Sequence, residues 1–345
     1  MNFGIPATHC NPSNAAAHDP QRLLGVVRHA AQRLVANLEQ ACRLTGHWSN
    51  AAQTAALVDG ALANCMQALA DTGCVGEANR LPSNELWQIA GHRLEVGWLQ
   101  HRARFKPRGY AGDYELLERI CAQKCCADPL GQAFDAYFQR QAAPHAVRCR
   151  TQAVAAAIVA QGLTRVSLPF RVVSVGSGPA QDVYQALAVL PESRRQSMQV
   201  VLLDLDPDAL DFARRRLAPL LPQAALHCLH ENLSRLPVRP KKAQLLAAAD
   251  VLVCTGLFDY LDDASAVAML RLFWQQLAPA GLMLVGNFAP HNPTRAYMEW
   301  IGNWYLIYRT RQQMIDLALQ AGIRTEHFAI AAEPMGVDLF LSARK

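Results

Sequence analysis

Between residues 175 and 182 the chain reads Val-Gly-Ser-Gly-Pro-Ala-Gln-Asp, a glycine-rich loop between a short apolar run and a helical stretch. Glycines there let the backbone approach a ligand closely, and the helix start beyond offers free N–H groups. Gly176, Ser177 and Gly178 are the candidate contacts. A dinucleotide fingerprint needs a third glycine where Gln181 stands, and the Gly-Lys-Ser/Thr of a P-loop is absent. Asp204 ends a second apolar run, in LLDLDPDALDFA. A carboxylate at a neighbouring strand tip can accept both ribose hydroxyls of a nucleoside. Asp206, just before Pro207, reads as a helix N-cap and joins Asp204 among the candidate contacts. Glu231 and Asn232, in HENLSRLP, stand at a third strand tip where an adenine amino group could be read. Thr255, Gly256 and Asp259, in CTGLFDYL, complete the nucleoside-side set.

A second group has acceptor chemistry. The stretch FKPRGYAGDY interrupts plain helix at residues 105–114 with Tyr110, Asp113 and Tyr114. A loop dense in aromatic and charged groups suits function, while its glycines suit a packed helix–helix turn as well. Residues 287–311 supply Asn287, His291, Asn292, Arg295, Glu299, Trp304, Tyr305, Tyr308 and Arg309. Arg309 and Tyr308, with Tyr305 nearby, would hold a carboxylate through paired donors. The bland alternative makes Trp300, Trp304, Leu306 and Ile307 core and leaves Arg309 on a solvated helix face. His145 and His291 are candidate bases for a hydroxyl or amine acceptor.

Two textures of sequence must position these groups. From about Pro20 to Gln100, apolar residues recur at three- and four-residue intervals, as in Leu23, Val27, Ala30, Leu34 and Leu38, which predicts amphipathic helices. Asn84 before Glu85 offers an N-cap, and one long helix is expected over 129–161. From Phe170 onward, FRVVSVG, QVVLLDLD, DVLVCTG and GLMLVGNF read as strands buried on both faces. Helices over 180–190, 209–217 and 264–277 separate them. The pattern predicts an α/β fold with a doubly wound, mainly parallel sheet, closed by an antiparallel pair around Pro334–Gly336. The expected domains are an all-helical one over 1–160, with residues 1–20 a frayed leader, and a sheet domain over 165–345.

Composition excludes much. The 345 residues are 51% hydrophobic with a net charge of +5 and dispersed cations, without a nucleic-acid motif, a signal peptide or a membrane-length apolar run. Ten scattered cysteines suit free thiols in a reducing cytoplasm. Cys121, Cys125 and Cys126 lack a matching Cys/His pair at zinc spacing, so no metal is expected. The apolar faces of residues 20–100 serve equally as internal core or as a homodimer interface.

The G-x-G loop, D-x-D-P-x-A-L, the Glu231–Asn232 tip and LAPAGLMLVGNF together resemble class I S-adenosylmethionine-dependent methyltransferases, whose fold is a Rossmann-like seven-stranded sheet. Ser174 and the Pro179-Ala180 pair depart from that family's acidic residue and third glycine. KPRGYAGDYELLERI, GLFDYLDD and GNFAPHNPTRAYMEWIGNWYLIYRT resemble, more narrowly, the bacterial 3-hydroxypalmitic acid methyl ester synthases that make quorum signals. The resemblance implies S-adenosylmethionine as cofactor and a helical lid bearing Tyr110, Asp113 and Tyr114. It puts Asp259 in the cleft, with Phe258 and Tyr260 walling the methionine end. The expected reaction is O-methylation of a small or hydroxy-acyl carboxylate. The alternatives are N- or O-methylation of a secondary metabolite and a non-catalytic nucleoside-binding regulator.

Overall fold

The computed structural model describes residues 19–44, 51–165 and 168–345; the expected leader lies, but for its last two residues, outside them. The chain divides into two compact units: residues up to Pro144 with Pro293–Leu306, and His145–Asn292 with Ile307–Lys345.

The first unit holds helices α1 (Pro20–Leu44), α2 (Ala51–Ala70), α3 (Arg80–Leu94), α4 (Trp98–Phe105), α5 (Tyr114–Cys121) and α6 (Pro129–Gln139). The buried face of α1 is Val27, Ala30, Ala31, Leu34, Leu38 and Ala41, as the helical period requires. It packs on α2 and α3. Asn84 is not the N-cap: α3 begins five residues earlier behind Asn79, with Pro82 in the first turn, where a missing N–H costs nothing. The expected long helix is two, α6 and α7 (Ala142–Thr164). Pro144 explains the break, since mid-helix it would clash with the preceding turn and leave a carbonyl unbonded.

The excursion Pro293–Leu306 belongs to the helical unit, against the expected boundary. Its π-helical turn Tyr297–Ile301 is wholly buried. Tyr297 stacks on Phe138 at 5.3 Å and donates its hydroxyl to Gln100 Oε1. Glu299, 1% exposed, accepts from Gly76 N–H and Asn79 Nδ2 at 2.8 Å each and pairs with Arg295. Gly76, Asn79 and Gln100 lie 197 to 223 residues from their partners in sequence, so periodicity gives no hint of them.

The second unit comprises β1 (Phe170–Val175), α8 (Gln181–Val189), α9 (Glu192–Arg195), β2 (Met198–Asp204), α10 (Pro207–Leu217), β3 (Leu226–His230), α11 (Pro240–Ala243), β4 (Ala249–Cys254), α12 (Asp263–Gln276), β5 (Leu277–Phe288), α13 (Arg311–Gln320), β6 (Phe328–Ala332) and β7 (Asp338–Arg344). The sheet order is β3-β2-β1-β4-β5-β7-β6. The first five strands run parallel, and β7 is antiparallel to both of its neighbours. Alternate β1 residues feed opposite layers, as a two-residue period demands. Val173 and Val175 join Phe258 and Phe273 on one side, while Phe170 and Val172 join Ile158, Val183 and Leu187 on the other. The strand order reverses between β1 and β4, where ligands of such sheets bind.

Candidate functional site

At the carboxyl end of β1 the chain turns through Gly176 (φ 67°) and Gly178 (φ 49°), left-handed conformations that favour glycine. Ala180 (φ 49°) takes the same left-handed region and is the N-cap residue of α8. The loop's N–H groups are bonded within the protein. Gly176 and Ser177 N–H both donate to Leu203 O (2.8 and 3.1 Å), Gly178 N–H to Asp204 Oδ2 (2.7 Å) and Ala180 N–H to Ser177 O (2.8 Å). These loop amides are therefore spent inside the protein; the free N–H groups expected from the sequence belong to the start of α8, where Val183 N–H is taken by Asp182 Oδ1 (2.8 Å). Ser177 is 8% exposed and its Oγ has no hydrogen-bond partner. A buried orphan hydroxyl is costly unless a ligand completes it.

Asp204, 5% exposed, accepts Gly178 N–H on Oδ2 and Asp206 N–H on Oδ1 (2.9 Å). Each oxygen keeps a lone pair for a hydroxyl donor. Burial pushes the Asp204 carboxyl above its usual range, against the pull of those N–H groups. Asp206 is the N-cap of α10, accepting Asp208 N–H, as its place before Pro207 foretold. Glu231 is brought beside Asp204 by its own N–H, which donates to Asp204 O. Its carboxylate, however, is held by Arg239 and Lys242. Asn232 is exposed next to it, and its Oδ1 accepts the Ser234 hydroxyl (2.8 Å).

The β4 exit lies alongside, because β4 pairs with β1 and a side chain at Gly176 would meet Leu257 Cβ at 3.9 Å. Thr255 and Gly256 are half-buried there, and Gly286 has no Cβ to press on Thr255, whose carbonyl would lie 3.0 Å away. Asp259, 3% exposed, accepts Phe288 N–H (2.8 Å). Two further groups escaped the sequence reading. Arg150 on α7 pairs with Asp338 at the start of β7 (3.0 Å), and a Cβ on Gly256 would lie 3.8 Å from its Nη2. Asp338 Oδ1 is buried and unbonded. An aspartate opening a buried strand, in VDLFLSA, was the one signal available for it.

Burial and the charge of Asp338 raise the Asp259 carboxyl far above its ordinary value, and burial raises Asp338. Arg150 pulls both carboxyls back toward the charged form, and it also hydrogen-bonds Asp338. A raised folded-state value favours folding at low pH, and that contribution is lost as pH climbs through it. Asp259→Asn keeps an acceptor for Phe288 N–H without the charge. It is expected to reduce the wild-type loss of stability between pH 4 and 7 by about 1–3 kcal/mol, read from urea unfolding at stepped pH.

The remaining predicted groups have structural posts. Arg309, 1% exposed, is not a free carboxylate clamp. Its Nη1 donates to Phe258 O and Asn287 Oδ1, Nη2 to Leu261 O and Asp263 Oδ1, and Nε to Asp263 Oδ1, which occupies every N–H of the guanidinium. Tyr308 is half-buried beside it. Tyr305 lies in the helical unit, its hydroxyl on Asn79 Oδ1 (2.5 Å); burial leads the causes that push it up to about 12, so it is a donor and not a base. Asp113 caps α5 through Glu115 and Leu116 N–H and binds Arg102 Nε at 2.8 Å, which leaves it no catalytic freedom. Tyr114 is buried under Arg108, and Tyr110 is half-buried in the turn between Gly109 and Gly112, both at positive φ.

No family model and no curated protein matches the chain. Among solved structures it is similar to a "possible exported protein" from Bordetella parapertussis (TM-score 0.58, 19% identity), over 97% of this chain and 99% of that one. It is also similar to the CurJ carbon methyltransferase (TM-score 0.50, 13% identity), over 94% of this chain and 91% of that one. The fold is that of a class I methyltransferase. At these identities the likeness concerns the fold alone. The methyltransferase fold accounts for the seven strands and for the reversal of order between β1 and β4. Among the described residues no helix is long and apolar enough to cross a membrane.

Proposed function

We propose that the chain is an S-adenosylmethionine-dependent methyltransferase acting on a small carboxylic acid. The observation that carries the cofactor is the glycine loop whose N–H groups are internally bonded while Ser177 Oγ is buried without a partner. Such a loop suits a nucleoside without phosphates. Asp204 would take the ribose hydroxyls, Asn232 the adenine edge, and Ser177, Gly256 and the Arg150–Asp338 pair the charged amino-acid end. When bound, S-adenosylmethionine supplies a methyl group on a sulfonium, open to in-line attack.

The protein's share is alignment and exclusion of water. A carboxylate acceptor is ionised near neutral pH and needs donors, not a base. Arg309 is occupied by internal acceptors; the helical unit, taken by itself, has cations of its own, of which Arg80 is paired with Glu77. Arg80 stacks over Tyr305 at 4.3 Å. Lys106, from the FKPRGYAGDY stretch, spends one N–H on Asn303 O (2.7 Å) and keeps two more. Burial, then the charges of Arg104 and Arg80, lower Lys106 to about 8, so it is still largely protonated at neutral pH and is surrounded by like charge that an anion would relieve. The narrower reading, a hydroxy-acyl methyl ester of signalling type, rests on the sequence resemblance.

Incubation with labelled S-adenosylmethionine and a panel of carboxylic acids should give a product whose methyl is released by mild base. A base-stable methyl product would move the acceptor to nitrogen or carbon.

A further inference from the structure

We propose that His145, Cys149 and Glu333 form a zinc site in the sheet unit, independent of the methyl-transfer reading. His145 and Cys149 are four residues apart on α7, so one face of the helix carries both. Glu333 comes from the turn between β6 and β7, and one donor atom from each residue lies within 4.8 Å of the others. Cys149 Sγ and His145 Nδ1 are 3.4 Å apart. Bond lengths of about 2.3 Å to sulfur and about 2.0–2.1 Å to nitrogen, at tetrahedral angles, place two zinc ligands roughly 3.5 Å apart.

The third donor is held in advance. Glu333 Oε1 accepts Val337 and Asp338 N–H (2.6 and 3.2 Å), and Oε2 accepts Met335 N–H (2.6 Å). Oε2 thus keeps a lone pair, and the turn fixes the carboxylate much as supporting hydrogen bonds fix metal ligands elsewhere. A buried carboxylate beside a thiol and an imidazole suits a borderline-soft cation: magnesium and calcium prefer all-oxygen sets, whereas sulfur, nitrogen and oxygen together suit zinc. Three protein ligands leave a fourth position open to water or to another ligand. The ion would tie the start of α7, the helix that carries Arg150, to the β6–β7 turn that leads into Asp338, the first residue of β7. No metal was expected because Cys121, Cys125 and Cys126 lack a matching Cys/His pair at zinc spacing, whereas this donor set is assembled from positions 184 residues apart (149 and 333).

The test uses the full-length protein, stripped with a chelator and titrated with zinc alone, then with cobalt(II) alone. One equivalent of zinc should bind and raise Tm, since an ion that binds only the folded chain stabilises it. Cobalt should give a near-ultraviolet thiolate charge-transfer band. In Cys149→Ala the band should vanish and zinc should no longer raise Tm. In His145→Gln zinc affinity should fall on the order of 100-fold, at least what losing a mere supporting partner costs. Both side chains are half-exposed, and circular dichroism of the metal-free variants checks their fold. Failure of the wild type to bind zinc, or a cobalt band that persists in Cys149→Ala because it arises at Cys121, Cys125 or Cys126, overturns the proposal.

Discussion

Asp204→Ala is expected to weaken binding of S-adenosylhomocysteine by about 100-fold or more in a calorimetric titration. Two hydrogen bonds from ribose hydroxyls to a charged acceptor contribute about 1.5–3 kcal/mol each, and every 1.4 kcal/mol is tenfold in affinity. The same carboxylate also holds Gly178 N–H and Asp206 N–H, so the variant loses the clamp that shapes the loop. Its Tm should therefore fall by several degrees. Asp204→Asn keeps one of the two loop bonds and turns an amide donor toward the other N–H and toward a ribose hydroxyl that must donate. It should recover part of the Tm lost in Asp204→Ala and little of the affinity. A folded Asp204→Ala that binds like wild type would remove the ribose role, and a wild type that binds no nucleoside at all would remove the cofactor assignment itself.

The largest stability effect is expected at Arg309. Arg309→Met should destabilise the protein by about 3–5 kcal/mol, measured by urea unfolding, because Phe258 O, Leu261 O and Asn287 Oδ1 would each be left buried without this donor. The partner carboxylate, Asp263, is 73% exposed and loses little. Arg309→Lys should recover only a minor part, since an ammonium cannot span donors that a planar fork reaches together. A carboxylate clamp would behave oppositely, with Tm preserved and KM for the acid raised. A stable Arg309→Met with impaired turnover would therefore reinstate the role that its sequence neighbourhood suggested.

The contrast between Asp206 and Arg309 marks how far the sequence reads. Asp206 was legible because capping is local: Asp-Pro-Asp before an apolar period specifies its own hydrogen bond within two residues. Arg309 was not, because each partner lies 22 to 51 residues away and burial is invisible in composition. Asn84 misled for a related reason. It is a good capping residue, but its side chain accepts from Arg104, and the helix had already begun behind Asn79. The FKPRGYAGDY stretch was legible as an interruption and not as an arrangement. Its glycines announced a turn, while the pairing of Asp113 with Arg102 required α4 and α5 to be folded against each other.

The sequence alone determined the succession of buried strands and helices, the antiparallel closing pair, the glycine turn after β1 and the acidic tip of β2. Each of these follows from a period of two or 3.6 residues, or from a conformation that favours glycine. The tertiary structure decided which donors and acceptors remain available. It spent the loop amides on Leu203 and Asp204, withdrew Arg309, Asp113 and Glu231 into internal pairs, and left Ser177 Oγ buried without a partner. It also moved residues 293–306 into the helical unit and joined Arg150 to Asp338 across 188 residues. The physical reason is one of range: backbone propensity acts over a few residues, whereas the occupancy of a hydrogen bond or a metal ligand depends on whatever the completed fold brings within about 3 Å.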